Sequence, residues 1–333
     1  MKQEHPLRNF LSNLKWKDSE GKPIASYNQF DSFIKLFCAY KNRTILYRGT
    51  KQIKDFKTEI TDIPNYARKM FMLGEKSHHY ESNTKSLFCI DDISSELFEY
   101  IFDKLNKLCK NNFNSEKTRS TVRTFLDNNP IIEKFFLNEN ADEYKKQKDD
   151  FILRIGKQKK QDKIHIKDYY LSLIHTIGKS LSPNSCMIST SEDINVAQKF
   201  KNDSVIVSWL PQKERGRQLI KFNNINKVDS LIKRIGLPYY DISPYKEQKE
   251  ICIKGGLLPH YIIGYSIEEK KSFIVNPYLL TEISSLSEFE IENKIKSIIN
   301  DGISIDQTKF NDELAKTKYK GGFINIDGFY YDA

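Results

Sequence analysis

Three short stretches of the chain bring together residue types that can do chemistry. Tyr47-Arg48-Gly49 puts an arginine after an apolar run, Ser189-Thr190-Ser191 is a triple hydroxyl, and Gln248-Lys249-Glu250 ends in a carboxylate. A guanidinium offers five donors in a planar fork that suits an anionic ligand. A carboxylate can stabilise a carbon that turns cationic as its bond to a leaving group breaks. A small hydroxyl can orient that carboxylate or cap a helix. Each string alone is common by chance. Their order and placement carry more: the arginine ends a strand, the hydroxyls close a strand and enter a helix, and the glutamate opens a strand.

The elements that position them follow from periodicity. Phe30, Phe33, Ile34 and Phe37 repeat at helical spacing, so Gln29 to Lys41 reads as an amphipathic helix, followed by a buried strand Thr44 to Tyr47. Residues 51 to 180 read as mostly helical. Ile93, Leu97, Ile101, Leu105 and Leu108 mark one long helix, with Asp91 and Asp92 suited to its positive end. Lys167 to Lys179 is another, and the charged run Lys145 to Lys163 between them reads as a solvated helix face. After Ser182-Pro183-Asn184 the period turns to extended. Strands are expected at Cys186 to Thr190, Val205 to Leu210, Glu250 to Ile253, Tyr261 to Ser266 and Ser272 to Val275, with a short helix Ile194 to Phe200. Leu286 to Asn300 reads as a helix and the tail as a hairpin around Asp327-Gly328.

Composition bounds the class. The chain has 333 residues, room for two average domains, and 39% hydrophobic with 29% charged residues speaks against both a membrane protein and a disordered one. The formal charge of +9 favours an anionic partner, although a lysine-rich composition alone can produce it. Five scattered cysteines without a C-x-x-C pair argue against a disulfide framework or a zinc site and for a reducing compartment. No apolar leader follows Met1 and no long apolar window occurs, so a cytoplasmic protein without membrane contact is expected.

In order and context, the three stretches resemble the arginine–serine–glutamate class of ADP-ribosyltransferases, the cholera-like and clostridial branch of NAD-using toxins. Met187 to Ser191 with Ala197 and Phe200 is similar to that family's strand, Ser-Thr-Ser and following helix, and Ile242 to Ile251 to its substrate-recognition turn. Phe30 to Gly49 is also similar to FRG-type domains. The resemblance implies an α+β fold of two packed, mainly antiparallel sheets with NAD in the cleft between them. Arg48 and Ser189 stand 141 residues apart, far more than is usual in the family, which implies a large helical insertion. Residues 1–50 would then hold the first helix and core strand, 51–181 the insertion, 182–285 the transferase core and 286–333 a C-terminal helix and hairpin.

The resemblance also implies roles. Glu250 would bind the nicotinamide ribose and offset its developing charge, and Ser189 would orient Glu250. Arg48 would clamp the NAD phosphates, with a structural salt bridge as its other reading. Thr190 and Ser191 would shape the nicotinamide pocket or start the next helix, Gly49 would let the backbone approach the ligand, Phe200 would border the cofactor, and Tyr47 belongs there or in the core. Gln248 stands where the acceptor is addressed, and its amide suits an asparagine or a nucleobase edge better than an arginine. Tyr240 and Tyr245, with Tyr239, would offer aromatic faces to the acceptor, with burial in the core as the other reading for at least one of the three.

The expected function is therefore NAD-dependent mono-ADP-ribosyl transfer by a toxin or antiviral defence effector, without metal, onto nucleic acid and RNA first, held in check by an antitoxin. The same chemistry on a protein side chain such as asparagine, a NAD glycohydrolase and a catalytically inactive binding module are the alternatives. Other features carry less. His78-His79-Tyr80-Glu81 reads as a surface loop, His175 as a structural residue beside an apolar helix face, and no P-loop or Rossmann glycine string is present.

Overall fold

A computed structural model describes residues 5–40, 44–51, 53, 56–75, 91–113, 118–178, 187–200, 204–211, 219–240, 249–306, 308–309 and 312. The hairpin expected around Asp327-Gly328, the string His78 to Glu81, and the predicted site residues Tyr245 and Gln248 lie outside them.

The described chain runs α1 (Pro6–Ser12), β1 (Lys15–Lys17), α2 (Tyr27–Ala39), β2 (Thr44–Thr50), then six helices: α3 (Ile63–Leu73), α4 (Ser95–Phe113), α5 (Ser120–Asp127), α6 (Pro130–Phe136), α7 (Ala141–Gly156) and α8 (Lys160–Gly178). It continues with β3 (Met187–Ser191), α9 (Ile194–Lys199), β4 (Ser204–Leu210), β5 (Leu219–Lys221), α10 (Phe222–Arg234), β6 (Glu250–Lys254), β7 (Ile262–Ile267), β8 (Ser272–Val275), α11 (Pro277–Ile283) and α12 (Glu288–Asp301). The described residues between β2 and β3 are mostly helical, and the mixed helix-and-strand content and the mainly antiparallel pairing agree with expectation.

The two packed sheets do not. The eight strands form one hydrogen-bonded sheet in the order β1-β8-β7-β4-β2-β3-β6-β5, antiparallel throughout except for the parallel pair β1–β8. The reason is a narrow seam. β2 pairs with β4 over its whole length, from Thr44↔Leu210 to Thr50↔Ser204, whereas β2 and β3 share only Tyr47↔Ser191. One residue pair keeps β3-β6-β5 in the same sheet while leaving that ribbon a separate packing surface.

Side-chain alternation along the ribbon assigns its two faces. Ile188, Ile251 and Ile253 point into a core shared with Phe30, Phe33 and Phe37 of α2, Tyr66 and Met70 of α3, Trp209 of β4 and Ile295 of α12. Met187 and Cys252 point the other way, into a second core built by α4 to α8 and α10. Four rings anchor that second core: Phe151 lies 5.5 Å from Phe102, 6.0 Å from Phe136 and 5.1 Å from Tyr170 between ring centres. Thus the helices between β2 and β3 do not stand apart from the sheet; the second core is closed by one face of β3 and β6. Helix α3, although within 51–181, packs in the first core.

Candidate active site

Arg48 lies in β2 opposite Ile206, so the strand runs on through it to Thr50 rather than ending there. Its Nε and Nη2 donate to the two carboxylate oxygens of Glu75, both at 2.6 Å, and Nη1 donates to the Ser189 carbonyl at 2.9 Å. Three of five N–H donors are engaged, and the remaining two sit one on each Nη, a pair that a phosphate can bridge. The salt-bridge reading of Arg48 is therefore the one its contacts display.

Glu75 was not signalled by any motif. It is placed by backbone: Glu75 N–H donates to the Leu257 carbonyl at 3.0 Å and Leu257 N–H returns the bond at 2.7 Å. Gly74, with φ 64°, turns the chain into this bridge, and a Cβ there would lie 2.0 Å from the Leu257 oxygen. Only glycine permits that approach.

Glu250 opens β6 opposite Ser191 and is 4% exposed. The residue before it, Lys249, has φ 45°, a left-handed backbone conformation that costs a non-glycine residue about 1–3 kcal/mol and is found at sites where the surroundings impose it. Lys249 is held by an ion pair with Asp193 at 3.0 Å, which keeps the Asp193 carboxyl below the usual carboxylate range. Asp193 in turn caps α9 by accepting from Asn195 N–H.

His175 of α8 meets this carboxylate. Its Nε2 lies 3.2 Å from Glu250 Oε1 and 3.2 Å from Ser189 Oγ, with the imidazole itself buried. His175, read from the sequence as structural, thus touches two of the candidate site residues, and Ser189 and Glu250 converge through it. Cys252 Sγ lies 3.6 Å from the same Glu250 oxygen. The donor atoms of His175, Glu250 and Cys252 fall within 4.8 Å of one another, a spacing that could also seat a metal ion.

A cleft of about 250 Å3 is lined by Tyr47, Arg48, Gly49, Ser189, Thr190, Ser191, Phe200 and Glu250, so eight of the predicted residues share one concavity. Arg119, at the start of α5, also faces it and was missed. A second cleft of about 500 Å3, lined by Glu192, Asp193, Asn195 and Lys249 among others, shares Glu250 as a wall. Within the first, the roles differ from expectation in detail. Thr190 Oγ1 donates to the Ile251 carbonyl at 2.7 Å, which spends its hydroxyl on the β3–β6 ladder. Ser191 Oγ accepts from Asp193 N–H, so Ser191 shapes the turn and Asp193 is the cap. Tyr47 is buried in the first core with an edge on the cleft, and Phe200 is 48% exposed.

Tyr240 is the clear correction. It is 1% exposed, its hydroxyl is 2.8 Å from Ser172 Oγ, and its ring stacks on Tyr169 at 4.8 Å. Burial pushes its phenol well above the ordinary tyrosine range. It is a core residue and offers no face to an acceptor. Tyr239 is half-buried, with Lys233 Nζ 4.0 Å from its ring centre. No helix among the described residues is long and apolar enough to cross a membrane.

Set against protein-family models, curated proteins and solved structures, the chain matches none of them.

Proposed function

We propose that the protein is an NAD-dependent mono-ADP-ribosyltransferase whose acceptor is nucleic acid, RNA ahead of DNA, acting in the cytoplasm as a toxin or defence effector that an antitoxin restrains. The observation that supports this reading is convergence: Arg48, Ser189 and Glu250, from three distant stretches of sequence, line one cleft with Gly49 and Phe200. The residues present suit a dinucleotide. Two guanidinium groups, Arg48 and Arg119, border a cleft whose other wall carries a buried carboxylate.

In this reading Arg48 and Arg119 hold the pyrophosphate. Glu250 faces the nicotinamide ribose, and its burial strengthens its pull on positive charge. The bond from ribose carbon to nicotinamide nitrogen breaks with its electron pair leaving on nicotinamide. A lone pair of the acceptor closes the new bond, and the acceptor's proton passes to the Glu250 carboxylate. The charge of +9 and the amide of Gln248 favour a nucleic acid as acceptor. The burial of Tyr240 removes the stacking argument at that position.

The test is labelled NAD offered with total RNA, single- and double-stranded DNA, or cell protein, using wild type and Glu250→Gln. Label on RNA with the wild type alone is the expected result. Label on protein alone would move the acceptor class and keep the chemistry. Free nicotinamide without labelled acceptor would make the enzyme a glycohydrolase, and no NAD turnover in any mixture would leave a binding module.

A further inference from the structure

Helix α8 is pinned to β6 at two points on one face. Asp168 Oδ1 pairs with Lys254 Nζ at 2.8 Å, and His175 Nε2 meets Glu250 Oε1 at 3.2 Å. Seven residues of helix span about 10 Å and four of strand about 13 Å, so the two contacts match in spacing along the crossing elements. Lys167 adds a third tie, donating to the Asp92 carbonyl at 2.8 Å. The imidazole is therefore delivered by a fixed element to a fixed carboxylate.

The protons decide what such a contact can do. With Glu250 ionised, a bare Nε2 would set its lone pair against a carboxylate oxygen. The contact is favourable when Nε2 carries hydrogen and donates, to Glu250 Oε1 and in shared fashion to Ser189 Oγ. The Cys252 thiol also donates to that oxygen, at 3.6 Å. We propose that His175 is the positioning residue of the site: its Nε2–H donates to Glu250 Oε1 and holds that carboxyl group in one rotamer, with Ser189 as the third member of the node. This rests on the transferase reading of Glu250 given above. It also assigns part of the helical stretch between β2 and β3 to the reaction itself.

The experiment measures kcat and KM for NAD cleavage in wild type, His175→Leu, His175→Gln, Glu250→Gln and the double variant His175→Leu/Glu250→Gln. Leucine fills the space without a donor, whereas the Gln side-chain amide reaches the place of Nε2. Loss of a hydrogen bond to a charged group is expected to lower kcat by about 10- to 100-fold in His175→Leu, with KM for NAD changed by less than about threefold. His175→Gln recovers part of that loss, and His175→Leu adds little on top of Glu250→Gln. Turnover in His175→Leu within about twofold of wild type, or an equal loss in both backgrounds, would overturn the proposal while leaving the transferase reading intact.

If the wild type cleaves no NAD, the transferase reading fails, and nitrogen-15 spectra of the imidazoles judge the contact itself. A His175 Nε2–H signal, assigned by its loss in His175→Gln and shifted by Glu250→Gln, would support the node. A signal indifferent to Glu250→Gln would end it.

Discussion

Replacing Glu75 by Gln tests how Arg48 is held. The substitution keeps the size of the side chain and its backbone bridge to Leu257, but removes the charge that two guanidinium N–H groups address at 2.6 Å. One amide oxygen can still accept; the amide nitrogen then faces a donor with a donor. Removing one partner of a buried pair costs about 3–5 kcal/mol. Here the Glu75 side chain is 5% exposed and that of Arg48 20%, which places the cost near the lower end, about 3 kcal/mol. At roughly 2 °C per kcal/mol for a chain of this size, the thermal midpoint should fall by about 6 °C in calorimetry. Because the pair aims the two remaining N–H groups of Arg48, KM for NAD should rise about tenfold. A midpoint within about 1 °C of wild type and an unchanged KM would refute the idea that Glu75 fixes Arg48. A lower KM would show that Glu75 competes with the phosphate instead of presenting the guanidinium to it.

Arg119→Ala should leave the thermal midpoint unchanged, since the side chain is exposed, and raise KM for NAD by about tenfold in steady-state assays. Tyr240→Phe should cost about 1 kcal/mol of stability through the lost bond to Ser172 and leave KM for the acceptor unchanged; an acceptor defect without a stability loss would restore Tyr240 to the site. Burial, with Lys254 nearby, brings the Lys167 ammonium down to about 8. Between that value and the unfolded lysine value of about 10.4 the unfolded chain binds more protons, so stability rises with pH in this window. Wild type should therefore gain on Lys167→Met as pH goes from 8 to 10 in denaturation series, and parallel curves would contradict the burial of that charge.

Much of the positioning frame was legible because it rests on short periods. The Phe30-Phe33-Phe37 spacing marks α2, and the apolar runs mark β4 and β7 within a residue of their observed bounds and β2 to within three. The placement of Ser189 and Glu250 was legible because a strand start and a strand-to-helix turn are local events, whereas Arg48 lies inside β2 and not at its end. The partners of these residues were not legible. His175 lies in α8, where every position from Ile166 to Gly178 is buried except Asp168, so no polar face singles out an imidazole. The signal that existed is physical: a helix apolar all round is covered on all sides, and an ionisable residue within it needs a partner. Glu75 depends on a two-residue bridge to a segment far along the chain, which no period encodes. Tyr240 follows Pro238 in what reads as an exposed turn, yet the Tyr169-Tyr170 pair of α8 reaches over to cover it. The division into two sheets failed on one residue pair, Tyr47↔Ser191.

The parallel pair at the sheet edge carries a consequence for how the molecule comes off the ribosome. β1 joins Lys15 to Ser272, Trp16 to Phe273 and Lys17 to Ile274, so the strand waits for a partner that lies 257 residues further along the chain. Pairings so remote in sequence slow folding, because the chain between them must be ordered before the contact repays it. Glu250 is likewise synthesised long after Arg48. During translation the cleft that Arg48 and Glu250 line therefore closes only once β6 has been made, a sequence of events that arises from strand order alone.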